Sequence, residues 1–113
     1  MKYEILEIGE TKLAIRFGFN ALRNYSLKTG ATMSDLDKLG NGQITFNDAF
    51  TLIYCGIQDG HRAAKQPFAY SLDEITDLFD GNMDCMGKAF EILSKSISDG
   101  SGGKKTAKKK RKN

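Results

Sequence analysis

The last residue to fall on a regular apolar spacing is Ile97, and that boundary limits what the chain can fold into. From Asp99 onward it reads DGSGGKKTAKKKRKN, with no apolar period. A segment of this kind cannot bury enough surface to offset the entropy of ordering it, so it is expected to be disordered. One folding unit is therefore expected over 1–98, followed by a Lys-rich tail over 99–113. A unit of that length supports one modest core and leaves little room for a deep active-site cleft. The same boundary divides the charge. Residues 1–98 carry ten Lys and Arg against thirteen Asp and Glu, a net of −3, whereas 99–113 carry seven against one, a net of +6. The overall charge of +3 belongs to an acidic domain with a basic end.

Period-two alternation over 2–8 and 12–17, separated by Gly9-Glu10-Thr11, predicts a β-hairpin. Tyr3 and Ile5 share one face of its first arm while Leu6 and Ile8 share the other, which suggests a bulge near Ile5 and Leu6. Helices are expected to follow. Asn20 would cap 21–29, with Gly30 as its stop. Thr32 with Asp35 would open a short helix to about residue 38, and Thr45 with Asp48 would open the most apolar one, 46–58. The last of these carries Phe46, Phe50, Ile53, Tyr54 and Ile57 at helical spacing, which marks it as the core helix. Residues 59–70 read as a polar connection containing the only proline. Ser71 with Glu74 forms a full capping box for a fourth helix, and 83–97 forms a fifth, with Met86, Phe90, Leu93 and Ile97 on one side. The predicted class is α+β, mostly α: an N-terminal hairpin, about five short helices and a disordered basic tail.

Few patterns in the chain carry chemistry. There is one histidine, His61, and no nucleophile elbow, phosphate loop or zinc-protease helix. Cys55 and Cys85 are thirty residues apart in sequence, fit neither a redox pair nor a zinc knuckle, and read as small core residues. The acids Asp73, Glu74, Asp77 and Asp80 read as caps and a solvated helix face. No catalytic residue, no metal and no cofactor is expected, and the chain is not expected to be an enzyme. Residues 37–48 resemble a calcium-binding EF-hand loop, with Asp37, Asn41, Gln43 and Asp48 as candidate ligands. Leu39 stands where an oxygen ligand belongs and Asp48 where the pattern has a longer Glu, so the turn-and-cap reading is preferred and a calcium module is kept as an alternative. The tail residues Lys104, Lys105, Lys108, Lys109, Lys110, Arg111 and Lys112 offer a flexible cationic arm, and a small nucleic-acid-binding protein is a further alternative. No aromatic residue follows Phe90 to act as a stacking platform, so nucleic acid is not the preferred partner. No stretch has the ~18 apolar residues of a spanning helix and the opening residues lack a signal-peptide pattern, so a cytoplasmic, non-membrane protein is expected.

Phe17-Gly18-Phe19-Asn20-Ala21-Leu22-Arg23-Asn24-Tyr25 with Lys28-Thr29-Gly30, then Leu52-Ile53-Tyr54-Cys55-Gly56-Ile57, then Ser71-Leu72-Asp73-Glu74-Ile75 and Leu78-Phe79-Asp80 form an ordered set. This set resembles the tail assembly chaperones of long-tailed bacteriophages and prophages over residues 3–97. The resemblance implies a non-enzymatic protein of the host cytoplasm, absent from the mature virion. Such a protein holds the long apolar helical tape measure protein soluble and helps the tail tube protein polymerise around it. It also implies that a ribosomal frameshift near the Lys-rich end can add a second domain. A homo-oligomer built through the hairpin edge is a further expectation. Phe68 and Tyr70, beside Pro67, are candidates for exposed partner contacts, together with the tail cations.

Overall fold

The computed structural model describes residues 2–40 and 42–100. Its N-terminal hairpin pairs β1 (Glu4–Ile8) with β2 (Thr11–Ile15) in an antiparallel register running without interruption from Glu4 opposite Ile15 to Ile8 opposite Thr11. The turn is thus two residues, and Gly9, at φ +61°, takes the left-handed position that a Cβ would disfavour. The expected bulge is absent. The change of face along β1 has another cause: Leu6 and Ile8 are buried beside Leu13 and Ile15, and the first arm leaves Ile5 and Tyr3 facing outward, 53% and 41% exposed.

Five helices follow: α1 (Phe19–Thr29), α2 (Met33–Gly40), α3 (Phe46–Ala63), α4 (Leu72–Leu78) and α5 (Asp84–Gly100). The α+β, mostly α class is the one the alternation and cap spacings predict. Most of the helix ends also follow the local chemistry. Gly30 closes α1 in the left-handed conformation, its N–H donating to the Ser26 carbonyl. The Thr45 hydroxyl accepts from the Asp48 N–H at 3.1 Å. Ser71 and Glu74 form the complete reciprocal box, at 3.1 and 2.8 Å. At α2, Asp35 reaches back to the N–H and hydroxyl of Thr32, and these hydrogen bonds hold its carboxyl below the usual range.

Besides α2 and α5, which run two and three residues past their expected ends, two boundaries differ in ways that shape the fold. α1 begins one residue before Asn20, at Phe19, with Gly18 as its N-cap. Asn20 lies inside the helix, where its amide oxygen accepts from the Arg23 guanidinium. The second difference is larger, because α3 continues to Ala63 through the first five residues of the predicted polar connection.

α3 is the organising element. It packs against α1, β2 and α4, while α5 lies against β1. Leu52, Ile53, Cys55, Ile57, Ile75, Phe79, Ala89 and Leu93 form the middle of the core with the inward face of the hairpin. The outer edge of β2 is covered by α3, where the Gly56 carbonyl accepts the Arg16 N–H at 2.9 Å. Phe46, expected on the buried stripe of α3, is 73% exposed because it sits in the first turn, beyond the neighbours that cover the rest of the stripe. Both cysteines are buried free thiols.

The Cys55 thiol is pushed up to about 11 by burial, from 9.0. The unfolded chain therefore loses this proton first. Stability contributed by the neutral thiol is complete below about pH 9 and is lost as pH rises toward 11. Cys55→Ala is expected to flatten the alkaline fall in urea midpoint over that interval, and an unchanged slope would remove Cys55 as its source.

Candidate functional site

The described residues form an open, largely apolar groove of about 640 Å³. It lies where the ends of the hairpin strands meet α1, α2 and α5. Ile15 contributes from the end of β2, Phe17 from the link that follows it, Phe19 and Leu22 from α1, Met33 and Leu36 from α2, and Ile92 and Ile97 from α5. Phe17 is buried and forms the floor. Phe19 and Met33 are each 83% exposed and stand at the rim. Isolated exposed apolar residues are ordinary on a protein surface, but a phenyl ring and a thioether at the mouth of an apolar depression make a surface suited to a partner.

One polar group is fixed in the groove wall. Arg16 follows β2, and its guanidinium donates from Nη1 to Oδ2 of Asp59 at 2.9 Å. The same carboxylate oxygen accepts the Gly18 N–H at 3.2 Å. The other oxygen, Oδ1, accepts Nη2 and Nε of Arg62 at 2.7 and 3.2 Å. Asp59 has a side chain with no solvent exposure, so its charge is stable there only because these donors surround it. The arrangement explains why Gly18 takes the N-cap of α1: a carboxylate from α3, forty-one residues away, satisfies the Gly18 N–H. The Arg16 guanidinium also lies over Gly18, in the space a Cβ would fill. The periodicity of 46–58 gave no sign of this cluster, since Asp59, Gly60 and His61 look like the polar start of a loop.

The remaining candidates are distributed differently from expectation. After α3 the backbone reverses at Lys65, with φ +58°, and the chain folds back along the helix. Phe68 consequently packs edge-on against Tyr54 and His61, with ring centroids 5.4 Å apart in each case, and Tyr70 packs near Phe68 at 5.9 Å. Both are half-buried and close over His61. His61 is itself buried, with Nδ1–H donating to the Pro67 carbonyl at 3.1 Å and Nε2 without a hydrogen-bond partner among the described residues.

The EF-hand-like positions are not gathered in one place. Asp37 belongs to α2 and opens onto the large groove, whereas Gln43 and Asp48 line a separate cavity of about 240 Å³ beside Tyr25. Leu39 is buried in the core, and Asn41 lies outside the described residues. Burial, and next the nearby Asp48 carboxylate, raise the Tyr25 phenol above its ordinary value. No group of three or more His, Cys, Asp and Glu side chains placed to hold a metal ion occurs among the described residues. Lys104, Lys105, Lys108, Lys109, Lys110, Arg111 and Lys112 fall outside the described residues, as does the expected disorder of 101–113, while Asp99 and Gly100, expected in the tail, belong to α5. No helix among the described residues is long and apolar enough to cross a membrane.

Comparison with protein families, with characterised proteins and with solved structures returned no match.

Proposed function

We propose that this protein is a helix-binding assembly chaperone of the long-tailed phage type. It holds the tape measure protein soluble in the host cytoplasm and assists tail tube polymerisation, without catalysing a reaction. The observation that carries this reading is the open groove with Phe19 and Met33 at its rim. A long apolar helix released from a ribosome aggregates unless its apolar face is covered, and a groove walled by side chains of α1, α2 and α5 covers it in the manner of helix-in-groove recognition. The ordered resemblance over residues 3–97 supports the tape measure protein as that helix. Occupancy is stoichiometric, since the groove covers a surface and transforms nothing.

Co-expression with the tape measure protein tests the proposal. The tape measure protein is expected in the soluble fraction, eluting in complex with this chain, and insolubility without a complex would refute the reading. Phe19→Asp is expected to abolish the complex with less than about 0.5 kcal/mol change in stability, because an exposed side chain has little packing to lose. Unaltered solubilisation by a folded Phe19→Asp chain would show that the groove is not where the partner sits.

A further inference from the structure

We infer that the resting occupant of the groove is a second copy of this chain, docked about a two-fold axis so that Phe19 and Met33 of each copy fill the groove of the other. The dimer stands apart from the proposed function; its consequence, that a client helix must displace the second copy, rests on that reading. A two-fold interface brings one patch against itself, so the patch must hold a recess and a protrusion side by side. Here the recess is the groove floored by buried Phe17, and Phe19 and Met33, each 83% exposed, stand beside it. Tyr3, 41% exposed, lines it too. These three side chains present roughly 400 Å² of surface, about half of the ~800 Å² that each partner gives to a standard interface.

Charge favours the same occupant. Lys2 and Arg16 line the groove together with Glu4 and Asp37. Lys2, Glu4 and Asp37 are exposed and form no ion pair among the described residues. A partner that carries one sign of charge is therefore attracted by two of these four groups and opposed by the other two. A copy turned by the two-fold axis carries both signs, and any cation-to-anion pair that it makes is made twice. A lone helix, about 10 Å across, leaves exposed charges at the mouth in water, whereas a second copy is broad enough to meet them. The chain's own tail is a poor occupant, since 101–113 contains no large apolar residue. The hairpin edge, the expected route to a homo-oligomer, is already engaged at both strands. The Arg16 N–H beyond β2 donates to the Gly56 carbonyl of α3, and the Glu7 carbonyl of β1 accepts the Cys85 thiol at 3.2 Å.

Sedimentation equilibrium of the full chain tests the inference. The apparent mass is expected to rise from 12.5 kDa towards twice that value as concentration increases. The midpoint is expected at a Kd of about 10 μM. Phe19→Asp is expected to weaken pairing by roughly a hundred-fold, because each substitution counts twice in a two-fold interface. Met33→Asp gives the same readout should Phe19→Asp fail to fold. Leu27→Asp, at a 72% exposed site that does not line the groove, is expected to leave pairing unchanged. Lys2→Glu and Asp37→Lys tip the groove towards opposite signs. Each is expected to weaken self-pairing about ten-fold, and an equal mixture of the two to recover wild-type affinity. A wild-type chain that stays monomeric up to about 500 μM overturns the inference. So does a dimer untouched by Phe19→Asp and Met33→Asp, or a mixture that pairs no more tightly than its components. A dimer broken by Ile5→Lys but not by Phe19→Asp would place pairing at the hairpin edge and overturn it too. Displacement is read by energy transfer between copies labelled at the C-terminus: transfer is expected to fall as tape measure protein is added, and transfer that persists in the soluble complex refutes that step. The two readings fail separately. A dimer that depends on Phe19, beside an insoluble tape measure protein, removes the chaperone alone; a soluble tape measure complex formed by a strictly monomeric wild-type chain removes the dimer alone.

Discussion

Gly60→Ala is expected to cost about 3 kcal/mol, among the largest effects of a single methyl group in this fold. A Cβ at this position would overlap the carbonyl carbon and oxygen of Ala14 and the nitrogen of Ile15. These are backbone atoms of β2, so no rotamer change relieves the overlap. Either α3 lifts from the strand or β2 bends, and both responses strain the Arg16 N–H to Gly56 carbonyl bond that ties the two elements together. The same contact places Asp59, one residue earlier, within reach of Arg16 and Gly18. Two other glycines act as controls. At Gly56 a Cβ would meet the Phe17 ring, a side chain with some freedom to move, so a smaller loss is expected. At Gly87, in α5, nothing lies within 4 Å, and Gly87→Ala is expected to stabilise by about 0.5–1 kcal/mol through helix propensity alone. Urea titrations of the three variants measure the order directly. A Gly60→Ala chain as stable as wild type would show that α3 and β2 are not in close approach.

The features legible in the sequence were those set by neighbours along the chain. Gly30 as a stop, the Thr45 and Ser71 caps and the alternation of the hairpin each rest on groups within a few residues, and each appears in the structure. Apart from the hairpin bulge, the readings that failed at the site involve partners far along the chain. Asn20 is a better cap than glycine by local preference, yet Gly18 takes the position because Asp59 supplies an acceptor from α3. Asp59, Gly60 and His61 look like a loop because their side chains are polar or absent, and all three are buried because Arg16, the β2 backbone and the folded-back Phe68 cover them. The one available signal was Gly56 and Gly60 four residues apart on an apolar helix, a spacing that allows close approach to another backbone. The groove was not legible for a related reason. Phe19 and Met33 were ordinary apolar letters, and only the placement of α1, α2 and α5 shows that they line one rim.

Asp59→Ala is expected to cost about 3 kcal/mol or more, and to do so through unpaired charge rather than lost volume. The carboxylate has no solvent exposure and accepts four hydrogen bonds, from Arg16, Gly18 and twice from Arg62. Removing it leaves two like charges without their shared carboxylate and the Gly18 N–H without an acceptor. Asp59→Asn separates charge from shape. Its amide oxygen can still accept from one side, but its NH₂ faces donors on the other, so it is expected to recover less than half of the loss. Arg62→Ala is expected to cost less, about 1 kcal/mol, since that side chain is 47% exposed and Asp59 keeps Arg16 and Gly18. Chemical denaturation of the three variants gives this order, and an Asp59→Ala chain within about 0.5 kcal/mol of wild type would contradict a buried, fully bonded carboxylate. Because Gly18 leads directly into Phe19 at the rim of the groove, losing Asp59 is expected to weaken partner binding and stability together. Phe19→Asp weakens binding alone, so measuring both quantities in both variants distinguishes damage to the scaffold that shapes the groove from damage to the surface that fills it.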